Sequence, residues 1–577
     1  MVEKKAHASR QKLLTLQKSI LEDLKAEVRT YLEGLSPSLK KYYHEYKKEF
    51  KFFERTSSKK EILEEVSQSH IVFAGDYHTL NQSQRAVLRI LREIVETKKD
   101  IILGVEFFLI SHQAYIDQFL RDEISEKELL EKTDFINSWG FDWNNFKPLI
   151  DFAKAHGLKV VALNTYRVQG KLETDTYETL EERDTKASEI IAELTVENPL
   201  SLIYVIFGDL HIASTHMPKK VENILRSKSL KRKTTIIYQN SETVYWALAR
   251  EGLEHEVEIV KLRDGVYCIE NCTPWIKLQS YLNWQERTDA LTPQLSSVWA
   301  SFEPEDNIID YNDQALSYLN IVCEFLDLPV EQLDQFSVHT LEDIDFYKAL
   351  SGKLTKAEIQ WVKKQLKARR SFFVPRENII YLSDLSVNKA SEEVTKYLYS
   401  LISGYRHIVL PDEHFFYSQI YLCTLGFLGS KIVNHKRKSE KEIDLIEYIG
   451  KCKYNIDECK IEDRDNEYVK RKIGVAEKVL YVKECEKRFL QGEKYSLDIK
   501  KLFDQSELLY EVAEILGHML GDRLYRGMIK GQFSLREVRK LFVQDLLSVE
   551  SAKENYLDLV QKLSSIELVY KSRKEHI

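Results

Sequence analysis

Short apolar runs alternate with longer helical stretches between about Ser67 and Ile276, and no other feature of the sequence constrains the fold as strongly. Near-continuous apolar runs separated by helices are typical of strands that are buried on both faces of a parallel sheet. The segment therefore predicts an α/β domain with a mainly parallel sheet flanked by helices. The predicted strands are Ile71–Ala74, Ile101–Gly104, Leu158–Leu163, Leu202–Phe207, Thr235–Tyr238, Val257–Val260 and Gly265–Ile269.

Helical patterns occupy both flanks of this segment. Apolar residues recur at a 3.6-residue spacing from Leu13 to Leu32, and an aromatic stripe follows among lysines as far as Phe53. After Trp275 the strand signal nearly disappears, and amphipathic stretches indicate a bundle of helices. Three capping-box patterns mark helix starts there, at Thr355 with Glu358, Ser534 with Glu537 and Ser551 with Glu554. We predict a helical region over 1–64, the α/β domain over 65–285 and a mainly α-helical domain over 300–577.

The composition excludes several classes of protein. With 20 glycines and 10 prolines among 577 residues, the chain is too poor in both for a collagen-like or low-complexity protein. Its 43% hydrophobic content can form full-sized cores. A net charge of -7 gives no global attraction to nucleic acid, so we predict no nucleic-acid partner.

The sequence also bears on location. Its N-terminal stretch shows no apolar signal segment or lipid-accepting cysteine, and the longest strongly apolar run, Leu200 to Phe207, is far too short to cross a bilayer. Seven scattered cysteines suit reduced thiols. We therefore expect a cytoplasmic protein without a transmembrane segment.

Chemically capable residues follow four of the predicted strands. Ligands bind at the carboxyl ends of the strands in open parallel sheets, so these residues are expected to meet at one edge. The strand ends read Gly75-Asp76-Tyr77-His78, Gly104-Val-Glu106, Asn164-Thr-Tyr166-Arg167 and Gly208-Asp209-Leu-His211.

Two Gly-Asp-x-His units appear in matching positions, each after a strand and before a helix. His78, His211 and Glu106 would form a two-histidine, one-carboxylate set that suits a divalent transition metal. Asp76 and Asp209 would orient the imidazoles or act as general bases, or would merely cap the helices that follow. The glycines at the strand ends are predicted to allow tight backbone turns and ligand approach; they are Gly75, Gly104 and Gly208.

Further motifs follow the same order along the chain as those of a known family. They are Gly104-Val-Glu-Phe-Phe108, Trp139 and Trp143 before a helix with Pro148, Ala155-His-Gly-Leu, Val-Ala-Leu-Asn164 with Arg167, and Glu182-Arg183-Asp184. Together with Gly75-Asp-Tyr-His78 they resemble the ChaN-like haem-binding uptake family of the Tiki superfamily. The resemblance covers about residues 65–275.

The resemblance implies an α/β domain whose relatives serve haem-iron uptake or metal-dependent hydrolysis of peptides. It implies that the ligands are His78, Glu106 and His211. A supporting polar set would comprise Asp76, Asn164, Arg167, Arg183 and Asp184. Two features depart from the family: Asp76 stands where Glu is commoner, and the lipoprotein signal of the haem-uptake relatives is not visible.

Three functions stay open at this point. Haem binding leads: Tyr77, Tyr166 or a histidine would hold iron, and Arg167 or Arg183 would pair with the propionates. A hydrolase would use Mn, Co, Zn or Fe, with Asp76 or Asp209 as base, on a peptide or another small molecule. In the third interpretation the helical domain binds another protein. The sequence leaves a homodimer and enzymatic activity undecided.

Overall fold

The structure is a computed structural model, and its described residues divide into two units. The α/β unit comprises described residues between 19 and 295, and the helical unit comprises 2–18 and described residues between 311 and 566. The described residues are 2–32, 37–97, 100–165, 177–295, 311–328, 333, 335–340, 346, 350, 354–383, 386–406, 413–454, 467–502 and 506–566.

An eight-stranded sheet forms the centre of the α/β unit. Its strands are β1 (Arg55–Thr56), β2 (Ile71–Asp76), β3 (Ile101–Leu109), β4 (Lys159–Asn164), β5 (Leu202–Gly208), β6 (Thr234–Gln239), β7 (Ile259–Arg263) and β8 (Val266–Ile269). They lie in the order β1-β7-β8-β6-β2-β5-β3-β4. The strands from β4 to β8 in this order are mutually parallel, whereas β7 and β1 are antiparallel to their neighbours. The predicted mainly parallel α/β fold is confirmed, and each predicted run overlaps a strand, although the run Val257–Val260 shares only two residues with β7.

Helices cover both faces of this sheet. Alternate residues of each strand therefore belong to different cores. Val72 and Ala74 of β2 belong to one core, whereas Ile71 and Phe73 belong to the other. The helices up to residue 295 are α1 (Val2–Leu32, which spans both sets of residues), α2 (Pro37–Lys48), α3 (Lys59–Ser67), α4 (Asn81–Val95), α5 (Gln113–Leu120), α6 (Glu126–Lys132), α7 (Phe135–Trp139), α8 (Trp143–Ala155), α9 (Tyr177–Glu197), α10 (Met217–Ser227), α11 (Glu242–Glu251) and α12 (Pro274–Leu295). A short 3-10 helix, Ile110–His112, precedes α5.

The helical unit is mainly α-helical, as predicted. Its helices beyond α1 are α13 (Asn312–Leu326), α14 (Lys356–Lys367), α15 (Val387–Ser403), α16 (Glu413–Val433), α17 (Glu442–Tyr454), α18 (Glu467–Leu490), α19 (Ile499–Leu502), α20 (Ser506–Ile529), α21 (Leu535–Leu541) and α22 (Val549–Leu563). It also contains a small three-stranded sheet that the sequence did not predict, formed by β9 (Ser337–His339), β10 (Phe372–Val374) and β11 (Ile379–Tyr381) in the order β10-β11-β9.

Capping boxes begin α14, α21 and α22. The predicted boxes at Thr355 and Ser534 are confirmed. The third prediction was wrong by one turn: Ser548 is the N-cap of α22, and Ser551 is the third helical residue rather than the cap. A serine three residues after another serine serves the same reciprocal bonding, which a search for Glu overlooks.

Two glycines let α20 approach α16. A Cβ atom at Gly517 would lie 2.5 Å from the Cβ of Cys423, and one at Gly521 would lie 2.7 Å from the carbonyl oxygen of Thr424. These glycines therefore serve close helix packing. None of the helices that the structure describes has the length and apolar character needed to cross a membrane.

Candidate functional site

The candidate site lies at the carboxyl edge of the sheet, where β5 lies between β2 and β3. Asp76 ends β2 and is paired with Gly208 at the end of β5. The backbone N–H of Asp209 donates to the carbonyl of Asp76 over 3.1 Å. Glu106 lies in β3, just beyond the point where its register with β4 shifts. The two Gly-Asp-x-His units are therefore neighbours in space.

The first half of the site is a carboxylate–histidine pair. Asp76 is buried, accepts a hydrogen bond from Gln84 Nε2 at 2.5 Å and lies 2.7 Å from His78 Nδ1. The His78 ring packs against Trp139 and Phe141, with centroids 4.6 and 4.9 Å away. Because the carboxylate engages Nδ1, it favours the tautomer that leaves the lone pair on Nε2. The predicted orienting role of Asp76 matches these contacts.

The second half repeats this arrangement with different residues. Asp184 of α9 is fully buried; it lies 2.6 Å from His211 Nδ1 and accepts a hydrogen bond from Tyr42 Oη at 2.8 Å. Tyr42 in turn stacks on His216, with centroids 3.7 Å apart. Asp184, rather than the predicted Asp209, therefore orients His211. The sequence misplaced this role because the aspartate comes from a helix and not from the strand that carries the histidine.

Glu106 lies between the two imidazoles. Its Oε2 atom is 3.7 Å from His78 Nε2, and its Oε1 atom is 3.8 Å from His211 Nε2. The Gly208 N–H donates to Oε2 at 2.7 Å, and the Arg183 guanidinium donates to Oε1. Burial alone would raise the pKa of Glu106, but the positive charges of His78, Arg183 and His211 outweigh burial and lower the pKa. The site therefore holds an ionised carboxylate facing two histidines.

The same balance acts on His78. Burial alone would lower the pKa of its imidazole, but the carboxylates of Glu106 and Asp76 outweigh burial and raise the pKa above 6.5. A proton therefore binds His78 more tightly than it binds an isolated histidine.

Arg183 supports the site from α9. Its buried guanidinium contacts Glu106 and donates through Nε to Asn164 Oδ1 at 3.2 Å. These contacts keep the guanidinium inside the protein, where it binds Glu106. This position does not agree with the predicted pairing of Arg183 with a haem propionate. The other predicted propionate partner, Arg167, and the candidate ligand Tyr166 lie outside the described residues.

Asp209 faces the opposite side of the sheet from Asp76. Its Oδ2 atom accepts a 3.3 Å hydrogen bond from Tyr46 Oη and lies 3.6 Å from Lys277 Nζ. Its Oδ1 atom is buried without a hydrogen-bond partner among the described residues. Burial raises the pKa of Asp209 to about 6. A buried carboxylate with so few partners is characteristic of functional sites.

Tyr77 packs beside the site. The Lys277 ammonium lies 4.6 Å from the centre of its ring. Burial raises the pKa of Tyr77 well above its ordinary value. In the metal-free protein Tyr77 is therefore a neutral phenol.

The three predicted turn glycines act through their small size. All three lie within strands and none has a positive φ, so the predicted tight turns are not formed at these glycines. A Cβ atom at Gly75 would lie 1.8 Å from Asp209 Oδ1, and one at Gly104 would lie 2.8 Å from Leu163 Cδ1. At Gly208 the Cβ atom would lie 3.4 Å from both His78 Nε2 and Glu106 Oε2. The missing side chain of Gly208 therefore leaves room beside the reactive atoms.

Sequence reasoning missed four side chains that hold the site. Tyr42 and Tyr46 come from α2, Gln84 from α4 and Lys277 from α12. The only signal was the spacing of the two tyrosines, which places them on one face of a helix. The spacing alone does not indicate which side chains this face contacts.

A separate histidine–carboxylate group lies in the helical unit. Ligand atoms of Glu392, Glu514 and His518 lie within 4.8 Å of one another. However, Glu392 already has Arg437 at 2.5 Å and Lys396 at 3.2 Å. These cations neutralise the carboxylate and would repel a metal ion.

Comparison with known proteins relates the α/β unit to one family. Residues 62–231 match the family model described as haem-binding uptake, Tiki superfamily, ChaN. No curated protein matches the chain. A solved structure described as cofacial heme binding to ChaN of Campylobacter jejuni is similar at 9% identity and a TM-score of 0.25; the match covers 32% of this chain and 87% of that one. The segment matched by the family model, 62–231, contains β2 to β5, whereas α2, α12 and the helical unit lie outside it.

Proposed function

We propose that the α/β unit, whose residues 62–231 match a haem-binding uptake family, binds haem through His78. One observation carries this assignment: His78 is the more exposed of the two imidazoles of the site. Its side chain is 21% exposed, compared with 6% for His211 and 2% for Glu106. We place this binding in haem-iron uptake or handling.

The surroundings of His78 suit a haem. The carboxylate on Nδ1 makes Nε2 a stronger donor to iron. Phe141, beside His78, stacks on Trp284 with centroids 4.7 Å apart, which adds apolar surface. The absent side chain at Gly208 leaves space near Nε2. Haem, when bound, supplies an iron centre, and the residues of this chain orient the imidazole and hold its proton on Nδ1.

Titration of the full chain with hemin tests the proposal. We expect a shifted Soret band that is lost in His78→Ala and retained in Tyr77→Phe. The matched control is His211→Ala, since His211 is buried and cannot reach a macrocycle. An unchanged Soret band in wild-type protein at micromolar hemin, or an equal shift in His78→Ala, would overturn the proposal.

A divalent-metal-dependent hydrolase is the second candidate. It is supported by the two imidazoles that face opposite oxygens of Glu106 at 3.7 and 3.8 Å, each with a carboxylate on Nδ1. When bound, the metal would lower the pKa of a water molecule and polarise a carbonyl. His78, Glu106 and His211 would hold it.

The two candidates differ in their need for His211. A metal held by both imidazoles is lost in His78→Ala and in His211→Ala, whereas haem held by His78 persists in His211→Ala. Elemental analysis after reconstitution with Mn, Co, Zn or Fe, together with a chelator-sensitive peptide-hydrolysis assay, measures the metal-dependent activity. No retained metal in the wild-type protein would exclude this candidate.

A further inference from the structure

Trp284 of α12 contacts the connection between α7 and α8 that faces His78. We propose that this tryptophan is a positioning residue of the candidate site, because it holds the Phe141 ring against the His78 imidazole and thereby sets the direction of Nε2. The consequence for haem rests on the proposed function, whereas the position of His78 can be measured without haem. α12 lies outside residues 62–231, so this support is not part of the segment that the family model matches.

Two kinds of contact hold the His78 imidazole. Asp76 lies 2.7 Å from Nδ1 and fixes that edge of the ring. The rings of Trp139 and Phe141, with centroids 4.6 and 4.9 Å from that of His78, restrict how the imidazole tilts about this edge. A ligand group is held in one geometry only when packing and hydrogen bonds both lock its rotamer. The direction of Nε2 therefore depends on where these two aromatic rings lie.

The two rings differ in what supports them. Trp139 is 1% exposed and belongs to the hydrophobic core on one face of the sheet. Phe141 is half-buried and lies in the short connection between α7 and α8, directly after Gly140, which ends α7 with a φ of 79°. A short connection with few buried contacts is among the less stable parts of a fold. Phe141 therefore requires support from outside this connection.

Trp284 supplies this support through two contacts. Its Nε1–H donates to the carbonyl oxygen of Gly140 at 2.8 Å. Its ring stacks on Phe141, with centroids 4.7 Å apart and an interplanar angle of 22°. The hydrogen bond fixes the backbone just before Phe141, and the stacking fixes the side chain. One residue therefore determines where the Phe141 ring lies.

The same helix also contacts both chain neighbours of His78. Ser280 Oγ lies 3.0 Å from Thr79 Oγ1. The Lys277 ammonium lies 4.6 Å from the centre of the Tyr77 ring. α12 thus contacts the backbone segment that carries the imidazole as well as the ring that faces it. Because one helix holds both, the two keep their relative position.

NMR of isotope-labelled histidine in the full chain measures this position without haem. The ring protons of His78 lie close to Trp139 and Phe141, so their chemical shifts report where these rings lie. His78→Ala identifies the resonances by their loss. Trp284→Phe keeps a stacking ring and removes the donor, and we expect it to move the His78 resonances toward those of an exposed histidine.

Hemin titration of the same variant is the second measurement. We expect the hemin affinity to fall about two- to tenfold, the range that one intramolecular hydrogen bond contributes. The matched control is Trp246→Phe, which should change neither measurement: Trp246 is a half-buried tryptophan of α11 that packs on Tyr245. Circular dichroism checks that each variant folds, and Trp284→Tyr, which also lacks the indole donor, replaces Trp284→Phe if that variant does not fold.

The outcomes separate this inference from the haem proposal. Unchanged His78 resonances in the folded variant would overturn the inference, even if the hemin affinity falls, because Trp284 would then contact the ligand and not position His78. Shifted resonances with an unchanged hemin affinity would overturn the link to haem binding. If the wild-type protein binds no hemin, the haem proposal fails, and the NMR result alone decides whether Trp284 positions His78.

Discussion

Replacement of Asp209 by asparagine is expected to stabilise the α/β unit at alkaline pH. The buried carboxyl has a pKa raised from 3.8 to about 6, because burial penalises its charge. Each unit of difference between the two pKa values is worth about 1.4 kcal/mol. The ionised side chain therefore lowers the free energy of unfolding by roughly 3 kcal/mol. The asparagine amide would place an N–H where Oδ1 has no partner, which offsets about 1 kcal/mol of this gain. A net stabilisation of about 2 kcal/mol follows from these two terms.

The sign of the pH dependence makes the expectation specific. Between pH 3.8 and about 6 the folded protein keeps a proton on Asp209 that the unfolded chain has released. The free energy of unfolding of the wild type therefore falls as pH rises through this window. The asparagine variant lacks this slope, so its advantage should be present at pH 8 and absent at pH 4.

Urea denaturation followed by tryptophan fluorescence measures the effect, because six of the seven tryptophans precede residue 300. Asp184→Asn is the matched control: both oxygens of that buried carboxylate have partners, so its loss should destabilise the unit by about 1.5–3 kcal/mol. A less stable Asp209→Asn variant at pH 8, or parallel pH profiles for variant and wild type, would refute the reasoning.

Four further expectations follow from the same contacts. Gly208→Ala should reduce hemin affinity at least tenfold with little change in unfolding temperature, because the added methyl would lie 3.4 Å from His78 Nε2 at a residue without positive φ. Hemin affinity in spectroscopic titrations should fall as pH drops through the raised pKa of His78, since a protonated imidazole cannot bind iron. Tyr42→Phe should lower the free energy of unfolding by about 1–3 kcal/mol in urea, because Asp184 loses a donor. Gly429→Ala should lower the free energy of unfolding of the helical unit by about 1–3 kcal/mol, since its Cβ would lie 1.9 Å from a threonine hydroxyl of α15; unchanged stability by calorimetry would contradict that packing.

The sheet and the convergence of its strand ends could be predicted from sequence. Each buried strand reads as a near-continuous apolar run, and parallel strands deliver their carboxyl ends to one edge. Asp76, His78 and Glu106 meet for this reason. Strands of three residues, such as β9 to β11, are too short to leave a pattern.

Contacts made by helices could not be predicted in the same way. Asp184 reaches His211 because α9 packs on the sheet with one particular rotation about its own axis. Tyr42 reaches Asp184 because α2 packs beside α9 with its own particular rotation. Neither rotation is encoded in local periodicity, since each depends on how the two surfaces fit. The single unpaired oxygen of Asp209 has the same origin, because it reflects which groups do not reach the carboxylate.

The position of β5 between β2 and β3 has a consequence for synthesis of the chain. Both neighbours of β2 in the sheet, β5 and β6, leave the ribosome more than a hundred residues after it. Until then β2 and β3 keep open edges that can pair with other chains. We expect chains that stop before residue 200 to aggregate. We also expect the candidate site to be completed only after His211 has emerged. The candidate site is therefore among the late-forming parts of the α/β unit during translation.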